Sequence, residues 1–222
     1  TITRPDLSYS VGLLSRFMQN PRNFYLNCAK RILRYVSATM DYGIVYKSNV
    51  TIRLKGHTDA DWAGYRADRQ STSGFMFSLG SGAISWSSKK QPTVALSSTE
   101  AEYRGAVVAA CKVVWLKRIL KDLGVSITDP IRIFCDNMSS IYLARNPVFH
   151  ARTKHIEVHY HFIRKRVQVG EIDLQHVSTN LQVVDIFTKA LGIDKLGQFT
   201  SGLGLTPSAL SSLRGSTTCN AA

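Results

Sequence analysis

The spacing of apolar residues divides the chain into a helical opening, a run of strands, and an alternation of helix and strand. Near the start, Leu7, Val11, Leu14 and Met18 recur every three or four positions after Pro5 and Asp6. Asn20 and Pro21 then offer an N-cap and first helical residue for a second helix. That helix carries Ala29, Ile32, Leu33 and Val36 on one side and Lys30, Arg31 and Arg34 around the other. From about residue 42 the period shortens. GIVYK, TIRLKGHTDA, STSGFMFSLG and GAISWSSK are β-branched or aromatic runs separated by Gly, Ser and Asn turns, a pattern that predicts an antiparallel meander.

A long helix is predicted from about Ser98 to the Gly124 stop, with Val107, Ala110, Val114 and Leu120 among its apolar positions. IRIFCD reads as a short strand and SSIYLARN as a helix. A basic helical stretch over about 155–168, the strand EIDLQHV and a last helix VVDIFTKAL follow. Strands first, then helix and strand in alternation, imply an α/β fold with a mixed sheet and helices packed on its faces. The chain divides on this reading into a small helical segment (1–45), an α/β domain (46–193) and a tail (194–222). The tail is Ser/Thr-rich and predicted to be largely disordered after about 206.

Composition narrows the partners. At 222 residues and 44% hydrophobic the chain can fill one core with a smaller appendage, and a formal charge of +13 favours a polyanion, nucleic acid first. No apolar run approaches the roughly 18 residues of a membrane span. Cys28, Cys111, Cys135 and Cys219 are far apart and form no CxxC pair, so they read as reduced intracellular thiols, not a zinc ribbon or disulfide framework. A start at Thr1 in place of Met suggests a piece of a longer polyprotein.

Four acids stand in four different local contexts: Asp59 in GHTDADWAG, Glu102 in ALSSTEAEY, Asp136 in IRIFCDN and Asp185 in QVVDIFTKAL. If folded together they would make a site negative enough to require hard divalent cations. Asp59 and Asp61, two apart on a strand, point to one face, and spacing leaves Asp61 open; Asp59 ends the extended run while Asp61 enters the turn. Ser97 and Glu100 fit a capping box, which gives Glu100 a structural task and leaves Glu102 to face the sheet. Asp136 ends an apolar strand, at the edge where α/β proteins bind ligands. Asp185 lies in the first turn of a helix, where the dipole alone is a sufficient reason for an acid.

These strings, with DRQSTSGFMFSLG, AISWSSKKQ and RTKHIEVHYHFIR, resemble the ribonuclease H domain of copia-type LTR-retrotransposon Pol polyproteins. TRPDLSYSVGLLSRF and RILRYVSATMDYGIVY resemble the end of the preceding reverse transcriptase. The polymerase's YVDD-type motif is absent, so DNA synthesis is not expected of this piece alone. The resemblance implies a ribonuclease H-like five-stranded mixed sheet with the first three strands antiparallel. It assigns Asp59, Glu102, Asp136 and Asp185 as catalytic metal ligands, with Asp59 bridging the metals. The implied chemistry is hydrolysis of the RNA strand of an RNA/DNA hybrid by two Mg²⁺ ions about 4 Å apart, with Mn²⁺ able to substitute. The implied partners are the hybrid and the remainder of the reverse transcriptase polyprotein, with no membrane and no small-molecule cofactor. The implied setting is the cytoplasmic virus-like particle and the nucleus.

Lys89, Lys90, Arg152 and Lys154 are candidates for phosphate contact. His155 and His159 stand at i and i+4, but no nearby Cys completes a zinc set, so a hybrid-contacting face or plain packing is the reading of the His150–His161 stretch. The pattern departs from the family at Lys112, usually Glu, and at Ala190, usually Pro. STNLQV before Asp185 has no histidine, and His176 is the nearest, inside the strand. Two other readings are a decayed or domesticated non-catalytic nucleic-acid-binding module and a transposase or integrase. The order Asp, Glu, Asp, Asp disfavours the second.

Overall fold

The structure, a computed structural model, describes residues 1–65, 67–146 and 154–207, with the side chains of 154–160 outside the description. In chain order its helices and strands are α1 Ser8–Ser15, α2 Asn23–Ala38, β1 Tyr42–Ile44, β2 Leu54–Asp61, β3 Thr72–Leu79, β4 Gly82–Lys90 and α3 Ser98–Asp122. After these come β5 Ile131–Cys135, α4 Met138–Arg145, α5 Lys154–Gln168, β6 Ile172–His176, α6 Asp185–Thr188, α7 Ile193–Gly202 and β7 Leu205–Pro207. None of the described helices is long and apolar enough to cross a membrane.

Five strands form one sheet in the order β4-β3-β2-β5-β6. β2, β3 and β4 are antiparallel neighbours, while β5 runs parallel to both β2 and β6. This is the expected five-stranded mixed sheet, its first three strands antiparallel and helices on its faces. One face is closed by α3, α4 and α5: Phe77, Val113, Ile131, Ile133, Ile163 and Leu174 meet there with almost no exposure. The other face is covered over β2, β3 and β4 by α6 and α7 through Met76, Phe187, Phe199 and Leu203.

Two sequence expectations need correction here. β2 runs through Asp61, paired with Thr72, so Asp61 ends the strand and does not begin the turn. The last predicted helix is a single turn, α6. Beyond it, residues placed in the tail form α7 and β7, and β7 pairs antiparallel with β1. Leu196, Phe199 and Leu203 do carry helical spacing, but among Gly, Ser and Thr the signal is weak, and burial against the sheet supplies what propensity lacks. Cys219, Arg152 and the rest of the tail from residue 208, read above as a free thiol, a phosphate contact and a largely disordered segment, lie outside the described residues.

The opening helices form as predicted, although α2 begins after Arg22 and not at Pro21. Their apolar sides are not closed into a core: neither helix has a fully buried side chain, and Leu33 is exposed. Phe17 stacks on Tyr25 with centroids 4.1 Å apart. The two helices line an apolar cleft of about 740 Å³ whose far wall is Ile186, Leu191 and Leu196.

Candidate metal centre at the end of the central strand

β2 and β5 are paired only from Lys55/Arg132 to His57/Phe134. Beyond that point the strands are no longer partnered, and the acids gather there. Asp59 projects from β2, and Asp136 follows the last residue of β5. Glu102 comes from the first turns of α3, and Asp185 opens α6. Asp59, Glu102 and Asp185 are buried, whereas Asp136 is half-exposed.

Two glycines make this convergence possible. Gly105 lets α3 lie close on β2, since a Cβ there would stand 3.3 Å from Thr58 Oγ1 and 3.4 Å from the Asp59 carbonyl oxygen. Gly74 is the register partner of Asp59 on β3, and a Cβ on it would come within 2.8 Å of Phe187 Cβ and 2.9 Å of Val184 Cγ1. Without a side chain at 74 the turn carrying Asp185 can seat over the strand beside Asp59. Thr188 then donates its hydroxyl to Asp59 Oδ2. Gln182 Nε2 donates to the Thr58 carbonyl at 2.9 Å, anchoring the segment that leads into α6.

Crowding acids away from water raises their pKa values. Burial, reinforced by Asp59 and Asp136, pushes Glu102 up to about 10. Asp59 is also raised, by burial first, with the Lys189 ammonium and the Thr188 hydroxyl opposing. Asp185 rises to about 6, burial outweighing the help of Lys189. Burial and mutual repulsion thus both work against full ionisation of Asp59 and Glu102 in the metal-free cluster. Such a site is one that a divalent cation would relieve, and the donors are carboxylate oxygens suited to a hard ion.

The site also contains groups that sequence reasoning missed. Ligand atoms of Glu102, Cys135 and Asp136 all lie within 4.8 Å of one another. The Cys135 thiol donates to Glu102 Oε2 at 3.8 Å, and burial, then Glu102, pushes it to about 12, so it stays protonated beside the carboxylates. Thr179 donates to Asp136 Oδ2 at 3.1 Å. Lys189 reaches Asp185 Oδ1 at 2.9 Å and Asp59 Oδ2 at 4.0 Å. The i to i+4 spacing of Asp185 and Lys189 was a legible signal for that last contact.

The two neighbouring acids, Glu100 and Asp61, differ: Glu100 is engaged at the helix start, while Asp61 is raised by burial and still feels Lys189 and Asp59. Ser97 Oγ accepts from the Glu100 N–H at 3.1 Å, Glu100 Oε2 accepts from the Leu96 N–H at 2.8 Å, and Arg104 holds Oε1 at 2.6 Å. Glu100 is a cap. Asp61 shares the face of Asp59, but a Cβ on Gly64 would fall 1.8 Å from Asp61 Oδ2, so this carboxylate is folded over the following turn. Asp185 cannot be explained by a dipole, because α6 is a single turn and the side chain is buried.

The basic candidates are less concentrated. Lys89 is exposed on β4, while Lys90 is held by Asp68 and lies 4.3 Å over the Tyr65 ring. Arg152, His150 and the side chains of Lys154, His155 and His159 lie outside the described residues. His176 is exposed at the end of β6. Lys112 sits 3.5 Å over the Trp115 ring on α3, and Ala190 lines the apolar cleft.

No family model matches the chain. It is 47% identical over 204 residues to the Retrovirus-related Pol polyprotein from transposon RE1 of Arabidopsis thaliana, a match covering 92% of this chain. It is 42% identical over 193 residues to the Retrovirus-related Pol polyprotein from transposon TNT 1-94 of Nicotiana tabacum, covering 87% of this chain. In both cases the chain spans only 14% of the relative. Among solved structures, the N-terminal RNase H domain of rv2228c from Mycobacterium tuberculosis aligns with a TM-score of 0.46 at 14% identity, covering 68% of this chain and 98% of that one.

Proposed function

We propose that this chain, which belongs with the copia-type Retrovirus-related Pol polyproteins and matches a segment of them, is a ribonuclease H domain that cleaves the RNA strand of RNA/DNA hybrids. The observation that carries the reading is the meeting of Asp59, Glu102, Asp136 and Asp185 at the end of β2, with more negative charge than the surrounding protein balances. Those four would hold divalent ions, Mg²⁺ first and Mn²⁺ as a substitute. Bound there, such ions supply the activation of a water and the stabilisation of a leaving oxygen.

The chain's own residues do the positioning. Thr188 fixes one oxygen of Asp59, and Thr179 fixes one of Asp136, which leaves each carboxylate a second oxygen for a ligand. Because burial holds the Glu102 carboxyl above its ordinary range, a cation binding there would compete with protons, and loading would depend on pH. Asp136, half-exposed, stands at the entrance where a phosphodiester would approach. Lys89 is on the exposed side of β4 and would contact phosphate without reading bases. Under this reading the partners are the hybrid and the rest of a reverse transcriptase polyprotein, and the setting is the virus-like particle in the cytoplasm and the nucleus.

The test is cleavage of a labelled RNA/DNA hybrid with Mg²⁺ by wild type and by Asp136→Asn. Wild type is expected to cut the RNA strand, and the variant to lose at least about a hundredfold in rate. Equal rates would remove the catalytic claim. Hybrid binding without metal-dependent cleavage by wild type would favour a non-catalytic binding module.

A further inference from the structure

The cluster contains a cation of its own. Lys189 leaves α6 in an extended conformation, with its N–H bonded to the Asp185 carbonyl, and its ammonium reaches Asp185 Oδ1 at 2.9 Å and Asp59 Oδ2 at 4.0 Å. Glu102 and Asp136, on the other side of the cluster, are instead met by the Cys135 thiol and the Thr179 hydroxyl, which are neutral. The two halves of the acid cluster are therefore compensated differently: the ammonium contacts Asp59 and Asp185 directly and acts on Asp136 only through space, while the direct partners of Glu102 and Asp136 named here are neutral. The Lys189 side chain is 34% exposed and lies at the rim of the apolar cleft, so it can withdraw toward solvent without crossing the core.

Resting on the metal-centre reading above, we propose that Lys189 is a resident counter-cation. It holds Asp59 and Asp185 together in the metal-free protein and gives way to a divalent ion on that side. The two halves then load unequally: the Glu102–Asp136 side binds first, and the Asp59–Asp185 side binds more weakly because an ammonium must be displaced. A like charge a few ångströms from an incoming ion is a direct competitor in a site of low dielectric.

Mn²⁺ titration by calorimetry on wild type, Lys189→Met, Lys189→Arg and Asp136→Asn tests this. Lys189→Met is expected to tighten the weaker Mn²⁺ site by about tenfold, while Lys189→Arg, which keeps the charge, stays within about threefold of wild type. Wild-type protein supplies a second measurement that does not depend on any variant folding: the acylation rate of Lys189, followed by mass spectrometry, should rise severalfold on saturation with Mg²⁺. An unchanged Mn²⁺ affinity in Lys189→Met, or a Lys189 acylation rate that Mg²⁺ leaves unchanged or lowers, overturns the role of Lys189 while Asp136→Asn still weakens binding. If wild type binds no Mn²⁺ in the millimolar range, or Asp136→Asn binds it as wild type does, the metal centre itself is lost.

Discussion

Two sites in this molecule that hold buried carboxylates differ in the supply of positive charge. At the chain's start, Asp6 is buried but fully matched: Arg4 grips both its oxygens at 3.0 and 2.7 Å, and Tyr35 donates to it at 2.8 Å. Arg4 also donates to the Thr39 carbonyl and hydroxyl, which ties the first residues to the end of α2. At the end of β2, three buried acids and a half-exposed fourth gather, and Lys189 contacts two of them, Asp59 and Asp185. The first cluster is closed chemistry, with every oxygen engaged by a geometry suited to a guanidinium. In the second, burial and mutual repulsion raise the carboxyls of Asp59 and Glu102 above their ordinary range, a balance that a bound cation would relieve.

The largest effect that would sharpen this contrast is at Glu102. Glu102→Gln should lower hybrid cleavage by about a thousandfold or more, yet leave the metal-free melting temperature unchanged or higher, because a neutral amide replaces a group that burial keeps neutral. Single-turnover cleavage and thermal unfolding with chelator read the two effects. A cleavage rate near wild type would place Glu102 with the structural acids.

Asp6 should behave in the opposite sense. Asp6→Ala leaves the half-buried Arg4 guanidinium without its carboxylate and should destabilise the fold by about 2 kcal/mol, with Mn²⁺ affinity at the β2 end unaltered. Denaturant unfolding measures the first and calorimetry the second. A stability loss below about 1 kcal/mol would mean that the N-terminal cluster is ornamental.

pH separates the clusters next. Asp185 at about 6 and Glu102 at about 10 are acids raised above their ordinary values. Their contribution is thus complete below about pH 4 and is lost as pH rises through the folded values. Chelated wild type should lose stability as pH rises from about 4 to about 10, and Glu102→Gln should lose less. Mn²⁺ binding near neutral pH should release roughly one proton, seen as a buffer-dependent heat. A binding heat that does not vary with the buffer's ionisation enthalpy would contradict the protonated Glu102.

The smallest effect belongs to Glu100, two residues from Glu102. Its cap contacts predict that Glu100→Ala costs about 1 kcal/mol and leaves cleavage intact. Loss of cleavage at equal stability would reverse the assignment of the two glutamates.

Much of this is legible in the sequence. Glu100 and Ser97 are separated by local spacing that only a helix start uses, and the structure has that cap. The meander, the long helix and the later alternation follow from periods of two and about 3.6, which are properties of neighbours in the chain. Asp61 was misjudged by sequence because a strand end depends on what pairs with it, here Thr72 of β3. The helices α1 and α2 show the opposite failure. Their apolar spacing was read correctly, but periodicity cannot tell a buried face from one that lines an open cleft.

The sequence by itself determined the kinds and order of the elements, the caps, the net positive charge and a short list of acids, because each depends on residue type and local spacing. Tertiary structure alone decided that β2 and β5 part after His57 and Phe134, that Gly74 and Gly105 admit α6 and α3 to the same spot, and that Thr188, Cys135 and Lys189 join the acids there. Those are contacts between residues far apart in the chain. They arise from packing, in which a missing side chain on one strand determines where a charge on another element can stand.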